Sequence, residues 1–288
     1  MRVHIYIILL GLAIFYPTAA PSAQTDSKPK LTVLTYSASP EGFLSNSHLI
    51  VGETGVLLID AQFSQTEAKK VAELINSTGK ELTSILITHP HPDHYYGLEV
   101  LGAEFSDAKI IGGPQTIEGV KNTAKYWTDS DGKPLPLGKM KVLEGVKYED
   151  LDITFKTFKN GESAENTIIY IPSSETLFIG DLASNGVHMW VAENNIERWL
   201  EQLKEISSIG PVSTVYPGHG EVGGPELLEQ AQKYLIDFSE TVKNSGTVDE
   251  AITKMKKLYP EYQMPEILEG SVRSIKFSGN QDNEMGAH

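Results

Sequence analysis

Residues 88–94, Thr-His-Pro-His-Pro-Asp-His, constrain the fold of this chain more than any other segment. Three of the chain's eight histidines and one aspartate fall within six consecutive positions, after the apolar run 84–88. Each proline biases the residue before it away from helical geometry, so the segment should be extended. In an extended backbone, His89 and His91 can converge on one metal ion. Asp93 and His94 are then free to face a second ion.

These nitrogen and oxygen donors suit zinc and are also compatible with iron or manganese. The alternative is a histidine-rich turn in which Asp93 only caps the helix that follows. Two other strand ends supply further candidate ligands: Asp181 follows Gly180, and His219 lies between Gly218 and Gly220. A metal site that draws on all three segments is therefore the favoured interpretation.

The first 23 residues have the pattern of a secretory signal peptide. Arg2 precedes an apolar run from Ile5 to Tyr16, and small residues follow up to Ala23. The run is shorter than the roughly 20 apolar residues that span a membrane. We therefore expect a periplasmic or secreted protein without stable membrane insertion after cleavage, although an uncleaved anchor is the alternative. The exact cleavage position stays open.

Composition narrows the possible partners. The formal net charge is −14, and such a surface repels phosphate backbones, so we expect no nucleic-acid partner. The chain has no cysteine, which excludes disulfides and thiolate ligands. A small-molecule substrate is expected, and the sequence leaves the oligomeric state open.

Strand-like and helix-like segments alternate along the rest of the chain. Helical spacing predicts helices at 64–78, 196–206, 225–244 and 248–258, and a short helix that begins near Asp93. Strands are predicted at 31–36, 43–51, 56–60, 84–88, 109–111, 139–143, 151–158, 167–171, 176–179 and 212–216. Strands in both halves with helices outside indicate a layered α/β protein. Residues 31–288 are predicted to form a single domain with C-terminal helices.

The three histidine and aspartate motifs resemble the metallo-β-lactamase superfamily of metal-dependent hydrolases. The resemblance extends over roughly residues 31–220. It implies an α/β fold of four layers, an αββα sandwich, with a two-metal site where the two sheets meet. It also implies a role for each matching residue. His89 and His91 would hold the first ion, Asp93, His94 and His219 the second, and Asp181 would bridge both.

One position departs from the family pattern. The family usually has a glycine-histidine pair before the next strand, and this chain has Gly161-Glu162. Glu162 is predicted to be a direct ligand, because carboxylate oxygens also bind zinc. It could instead lie behind the ligands and leave the first ion weakly held or absent, or the site could have decayed and the chain become a binding protein. A carboxylate would lower the positive charge of the site and make manganese or iron more plausible.

The expected reaction is hydrolysis of a carbonyl substrate (a lactone, an ester or a β-lactam) by water activated between two divalent ions. Asp93 is the predicted catalytic residue that orients this water and accepts its proton. His188 and Trp190 are candidates for the substrate cleft. The alternatives are an iron-dependent redox or dioxygenase relative and a non-catalytic metal- or ligand-binding protein.

Overall fold

The structure, a computed structural model, describes residues 31–124, 135–144 and 148–285, and for residues 276–285 only the backbone. The predicted signal peptide lies outside the described residues. The strands are β1 (Thr32–Ser37), β2 (Asn46–Val51), β3 (Gly55–Ile59), β4 (Glu81–Ile87), β5 (Lys109–Gly112), β6 (Met140–Val142), β7 (Thr154–Lys159), β8 (Glu165–Ile171), β9 (Thr176–Gly180) and β10 (Thr214–Pro217). The helices are α1 (Gln65–Ser77), α2 (Pro92–Tyr95), α3 (Leu98–Glu104), α4 (Pro114–Thr123), α5 (Ile196–Ile206), α6 (Glu226–Lys243), α7 (Val248–Leu258) and α8 (Pro265–Met285).

The strands form two sheets. One has the order β1-β2-β3-β4-β5-β6, with β3 to β6 parallel to one another. The other has the order β10-β9-β8-β7, with β9 and β10 parallel and the remaining pairs antiparallel. Because parallel neighbours end at the same edge, the residues after β3 and β4 lie side by side, as do those after β9 and β10.

The two sheets pack face to face. Alternate residues of a strand point to opposite faces, so Leu57 and Ile59 of β3 face the second sheet, where they belong to a cluster with Ile169 and Phe178. The intervening Leu58 belongs to a different cluster, under the helices. This explains why these strands are apolar at consecutive positions. Each such Leu or Ile stabilises the fold by about 1.5–3 kcal/mol relative to an exposed side chain.

Helices cover both outer faces of the pair of sheets. On the first sheet, α1, α3 and α4 contribute to one buried cluster through residues such as Val71, Leu101 and Val120. On the second sheet, helices α5 to α8 all contribute to another buried cluster, which includes Trp199 of α5. The α/β class and the expected αββα layers are thus confirmed. Within the described ranges, each helix is too short or too polar to span a membrane.

The main differences from the predicted elements are at one strand and three helices. The predicted strand 43–51 begins only at Asn46, because Phe43 and Leu44 adopt positive φ angles of 62° and 55° in a turn. Helices α3, α4 and α8 were not predicted. In α4 the described buried residues are Thr116, Ile117 and Val120, which is too few for a clear helical pattern.

Candidate metal centre

The histidine motif lies at the end of β4, where extended backbone changes into a very short helix. His91 precedes α2 with φ −82° and ψ 139°, and Pro92 occupies the first helical position. Proline suits this position because its missing N–H would have no partner there. The change of backbone direction separates the side chains, since Asp93 and His94 belong to the helix and His89 to the extended part. His89 and His94 are fully buried.

One group of possible ligand atoms comes from His89, His91, Glu162 and Asp181, and all lie within 4.8 Å of one another. Nδ1 of His91 is 3.0 Å from Oε1 of Glu162. Nε2 of His89 is 3.6 Å from Oδ2 of Asp181 and 4.0 Å from Oε2 of Glu162. Glu162, in the turn between β7 and β8, therefore reaches the histidines at the end of β4.

A second group comes from Asp93, His94 and His219. Oδ2 of Asp93 is 3.4 Å from Nε2 of His94 and 3.3 Å from Nε2 of His219. Asp181 lies between the two groups, because its Oδ1 is 3.3 Å from Nε2 of His94 and its Oδ2 is 3.0 Å from Nε2 of His219. Since the same carboxylate also approaches His89, it can face two cations at once.

Hydrogen bonds away from the site determine which nitrogen of these histidines is free. Nδ1 of His219 lies 2.8 Å from the carbonyl oxygen of Phe43, so in the neutral ring Nδ1 carries the proton and Nε2 keeps its lone pair. Nδ1 of His89 lies 2.9 Å from Oγ1 of Thr88. For His91 the free nitrogen is Nδ1, because Nε2 lies 3.2 Å from Oε1 of Glu193. In each case the nitrogen that faces the cluster can bind a cation.

Asp60 connects two of these histidines from behind. Its Oδ1 accepts a 2.8 Å hydrogen bond from the amide of Thr88, and its Oδ2 accepts one of 2.8 Å from the Thr88 hydroxyl. Nδ1 of His94 donates to Oδ2 at 2.9 Å. Since the Thr88 hydroxyl proton goes to Asp60, its oxygen is free to accept from Nδ1 of His89. One buried carboxylate thus orients both His94 and, through Thr88, His89.

Burial and neighbouring charges set the pKa values in the site. Burial opposes protonation of His94, but Asp181 and Asp93 outweigh it and raise the pKa of His94 well above its usual range. Burial also opposes ionisation of Asp181, yet His219 and His94 hold its pKa well below the usual range. Burial and the nearby His94 lower the pKa of His89, so its Nε2 stays unprotonated and available as a ligand.

The residues present fit a pair of cations. Nε2 of His89, Oε1 of Glu162 and Oδ1 of Asp181 are buried and have no hydrogen-bond partner in the described part of the chain. Buried polar atoms without partners are costly, and these three belong to residues of the first group. The two groups also bring together the carboxylates of Asp93, Glu162 and Asp181, whose charges require compensation when buried.

Glu162 is held so that one oxygen is free. Its Oε2 accepts a 2.6 Å hydrogen bond from Nδ2 of Asn166, while Oε1 faces Nδ1 of His91 without hydrogen-bond geometry. The side chain is 1% exposed. Burial raises the pKa of the Glu162 carboxyl, and His91 offsets part of this effect. A cation between Glu162 and His91 would favour the ionised carboxylate.

Gly218 leaves no room for a side chain, because its Cα lies against the carboxylate of Asp181. A Cβ at this position would come within 1.9 Å of Oδ1 of Asp181 and 3.0 Å of the backbone carbon of Gly180. The segment is also held by Asn46, whose backbone N–H donates to the carbonyl of Gly218 at 2.7 Å. The Pro-Gly-His sequence therefore places His219 next to Asp181.

A cavity of about 360 Å³ opens onto the site. Asp93, Asp181, His91 and His219 line one part of it. Its other lining residues are largely apolar: Phe43, Phe63, Pro90, Pro92, Thr123, Ser184, Val187, His188, Trp190, Glu193 and Ile267. A volume of this size suits a small molecule.

All seven sequence-predicted ligand residues lie in the two groups, and the cleft candidates His188 and Trp190 both line the cavity. Sequence reasoning missed Asp60 and Glu193. Asp60 follows β3, which is parallel to β4, and a carboxylate at a neighbouring strand end was a usable signal. Glu193 lies in an irregular loop, and no sequence pattern indicates its contact with His91.

Comparisons with known proteins agree with this geometry. The profile of the metallo-β-lactamase superfamily matches residues 40–219. The chain is 26% identical over 196 residues to the metallo-β-lactamase type 2 of Bacillus cereus, which covers 66% of this chain and 72% of that enzyme. It is 25% identical over 154 residues to a hydroxyacylglutathione hydrolase of Tolumonas auensis, which covers 53% of this chain and 54% of that protein.

Solved structures share the fold. The DIM-1 metallo-β-lactamase superposes with a TM-score of 0.57 at 19% identity, over 72% of this chain and 98% of that one. TMB-1 superposes with the same TM-score of 0.57 at 21% identity, over 73% of this chain and 99% of that one.

Proposed function

The chain belongs to the metallo-β-lactamase superfamily of metal-dependent hydrolases, and on this premise we propose that it is an exported enzyme with two divalent ions that hydrolyses a small lactone or ester. The position of Asp181 between the two ligand groups is the observation that carries the proposal. Its two oxygens approach His89, His94 and His219. A carboxylate in this position suits a binuclear site better than a single ion.

Each ligand group would hold one ion. His89, His91 and Glu162 would bind the first, and Asp93, His94 and His219 the second, while Asp181 would contact both. Two such cations act as Lewis acids that polarise a carbonyl group and lower the pKa of water. Zinc is the expected ion, and the additional carboxylate of Glu162 also accommodates manganese or iron.

The protein's own residues would supply the other parts of the reaction. Asp93 lines the cavity and its Oδ2 lies between His94 and His219, so this carboxylate would orient a water molecule and accept its proton. Asp60 holds the rings of His94 and His89 in place through the hydrogen bonds described above. The apolar cavity wall would bind the acyl portion of the substrate and exclude bulk water.

The cavity favours a lactone or an ester over a β-lactam. A β-lactam antibiotic carries a carboxylate, which a lysine or arginine in the cleft would pair. Among the described lining residues there is neither, and Glu193 adds negative charge at the rim. The relatives include metallo-β-lactamases and a hydroxyacylglutathione hydrolase, so β-lactams and thioesters belong in the same substrate panel.

Export is inferred from the first 23 residues alone. Expression of the full chain in a bacterial host followed by fractionation and N-terminal sequencing tests it. A periplasmic or secreted product that begins near residue 24 would support export. A cytoplasmic product that retains Met1 would contradict it.

Hydrolysis is tested by assaying the purified protein on p-nitrophenyl esters, lactones, thioesters and a chromogenic β-lactam. We expect turnover of an ester or lactone that is lost on chelation and restored by added zinc or manganese. Asp181→Asn should abolish it, and the matched surface variant Asp107→Asn should keep it. Metal-independent turnover, or none on any substrate, would contradict the proposal. Stoichiometric iron without hydrolysis would instead support the redox alternative.

A further inference from the structure

We propose that His188 presents a protonated Nε2 to the cavity and donates a hydrogen bond to an uncharged acceptor on the substrate outside the scissile ester, such as an amide carbonyl. This inference rests on the proposed hydrolase function and adds a specificity-determining residue to it. The ring lines the same cavity as Asp93 and Asp181 and belongs to neither ligand group.

The backbone around His188 is held in place. Its amide donates to the carbonyl of Gln263 at 3.0 Å, and the amide of Gln263 donates to the carbonyl of Gly186 at 2.9 Å. Gly186 itself adopts a positive φ of 67°, a conformation that glycine allows without strain. The loop after β9 is therefore attached to the segment that precedes α8, and the imidazole has a defined position.

The hydrogen bond to Tyr234 determines the tautomer. Nδ1 of His188 lies 3.0 Å from the hydroxyl of Tyr234, which is fully buried. The buried phenol proton needs an acceptor, and among the described residues Nδ1 of His188 is the atom found within hydrogen-bond distance of this hydroxyl. Nδ1 accepts, so in a neutral ring the proton resides on Nε2.

The environment keeps the ring neutral. Burial, assisted by the charge of Lys256, lowers the pKa of His188 to about 4. The rings of Tyr234 and Tyr262 pack against the imidazole, with centroids 5.8 and 5.6 Å away. At neutral pH His188 is thus a donor without charge, which suits a carbonyl oxygen rather than a carboxylate.

The tautomer can be measured without any assay of activity. Ring 15N chemical shifts distinguish the two neutral tautomers, and the His188 signal is identified by its absence from His188→Phe. We expect the Nε2–H tautomer in the zinc-loaded protein and after chelation. In Tyr234→Phe the two tautomers should mix. The control is Tyr170→Phe, which removes a different tyrosine hydroxyl, one that donates to the carbonyl of Pro211. It should change nothing at His188. An Nδ1–H tautomer in the unsubstituted protein would overturn the proposal.

The substrate contact is tested with two p-nitrophenyl esters of equal chain length, one with an amide in its acyl chain and one with methylenes only. His188→Phe should raise KM for the amide ester about 3- to 10-fold and leave kcat within twofold, as expected for one neutral hydrogen bond. His188→Gln, which keeps a donor, should restore most of the loss. KM for the methylene ester should stay unchanged.

The failures of the two proposals are distinguishable. If His188→Phe and the unsubstituted protein have the same KM for the amide ester, as well as for the methylene ester, the role of His188 is overturned while hydrolysis stands. Absence of hydrolysis of both esters would contradict the proposed function, and the NMR measurement would still decide the tautomer of His188.

Discussion

Oε1 of Glu162 lies 3.0 Å from Nδ1 of His91. The other carboxylate oxygen is occupied by Asn166, so Oε1 is the one that can bind a cation. By its resemblance to the superfamily pattern, this chain is expected to carry Glu162 in place of a histidine, and the surrounding hydrogen bonds fit the proposed ligand role. The first prediction tests this role directly.

Loss of a group that hydrogen-bonds to a metal ligand typically weakens metal binding about 10- to 100-fold. Glu162→Gln should weaken binding of the first ion by more than this, because a neutral amide replaces an anionic ligand. Competitive titration against a chromogenic chelator measures the loss. Glu162→His should still bind two ions with a changed preference among zinc, manganese and iron. The exposed Glu205→Gln is the control. If Glu162→Gln binds both ions as tightly as the unsubstituted protein, Glu162 is not a ligand.

Asp60→Asn should lower metal affinity about 10- to 100-fold, because Asp60 accepts the hydrogen bonds that orient His94 and Thr88. The amide nitrogen would face the donors of Thr88 or His94, so at least one hydrogen bond is lost and the ring of His94 is no longer fixed. The same titration measures the effect, with Asp107→Asn as the control. Unchanged affinity and activity would show that Asp60 only stabilises the fold.

Gly218→Ala should reduce kcat strongly and lower the metal content, because the new methyl group would come within 1.9 Å of Oδ1 of Asp181. Gly138→Ala is the matched control, since a Cβ there meets nothing within 4 Å. We expect the control to change the free energy of unfolding by less than about 0.5 kcal/mol. A fully active Gly218→Ala with two ions would mean that Asp181 can move without consequence.

Glu149 should make the free energy of unfolding depend on pH. Slight burial opposes its ionisation, but the amides of Thr54, Glu53 and Gly55 outweigh this and lower its pKa to about 2. Because the pKa is lower in the folded protein, the stabilisation is present above the ordinary glutamate pKa of 4.5 and is lost as the pH falls towards 2. Its side chain is exposed, so after solvent screening we expect only about 1 kcal/mol.

The comparison with Glu149→Gln isolates this group. The difference in free energy of unfolding between the two proteins, from urea titrations, should be constant above pH 5 and should shrink at lower pH. A difference that grows as the pH falls would contradict the assignment.

Hydrophobic patterning predicted most of the strands and four of the helices, whereas the four-layer sandwich and the role of each candidate ligand came from the superfamily resemblance. Strand β3 has no polar side chain and β8 is apolar from Ile168 to Ile171, which is a strong signal. Helix α4 has few buried residues and was missed for that reason. That residues 31–288 form one domain stays a prediction.

The residues that orient the site were harder to find. The turn at Phe43 has positive φ, and it places the carbonyl that fixes His219, which no local preference indicates. Asp60 and Glu193 act through contacts with residues 34 and 102 positions away in the sequence. Such contacts depend on how strand ends and loops meet, and a single sequence does not specify that.

The binuclear site is tested most directly by the metal content of the purified protein, measured by elemental mass spectrometry against protein concentration. We predict close to two divalent ions per chain, zinc first among them, and close to one in Glu162→Gln. One ion or fewer in the unsubstituted protein, after incubation with zinc and removal of excess metal, would contradict the account.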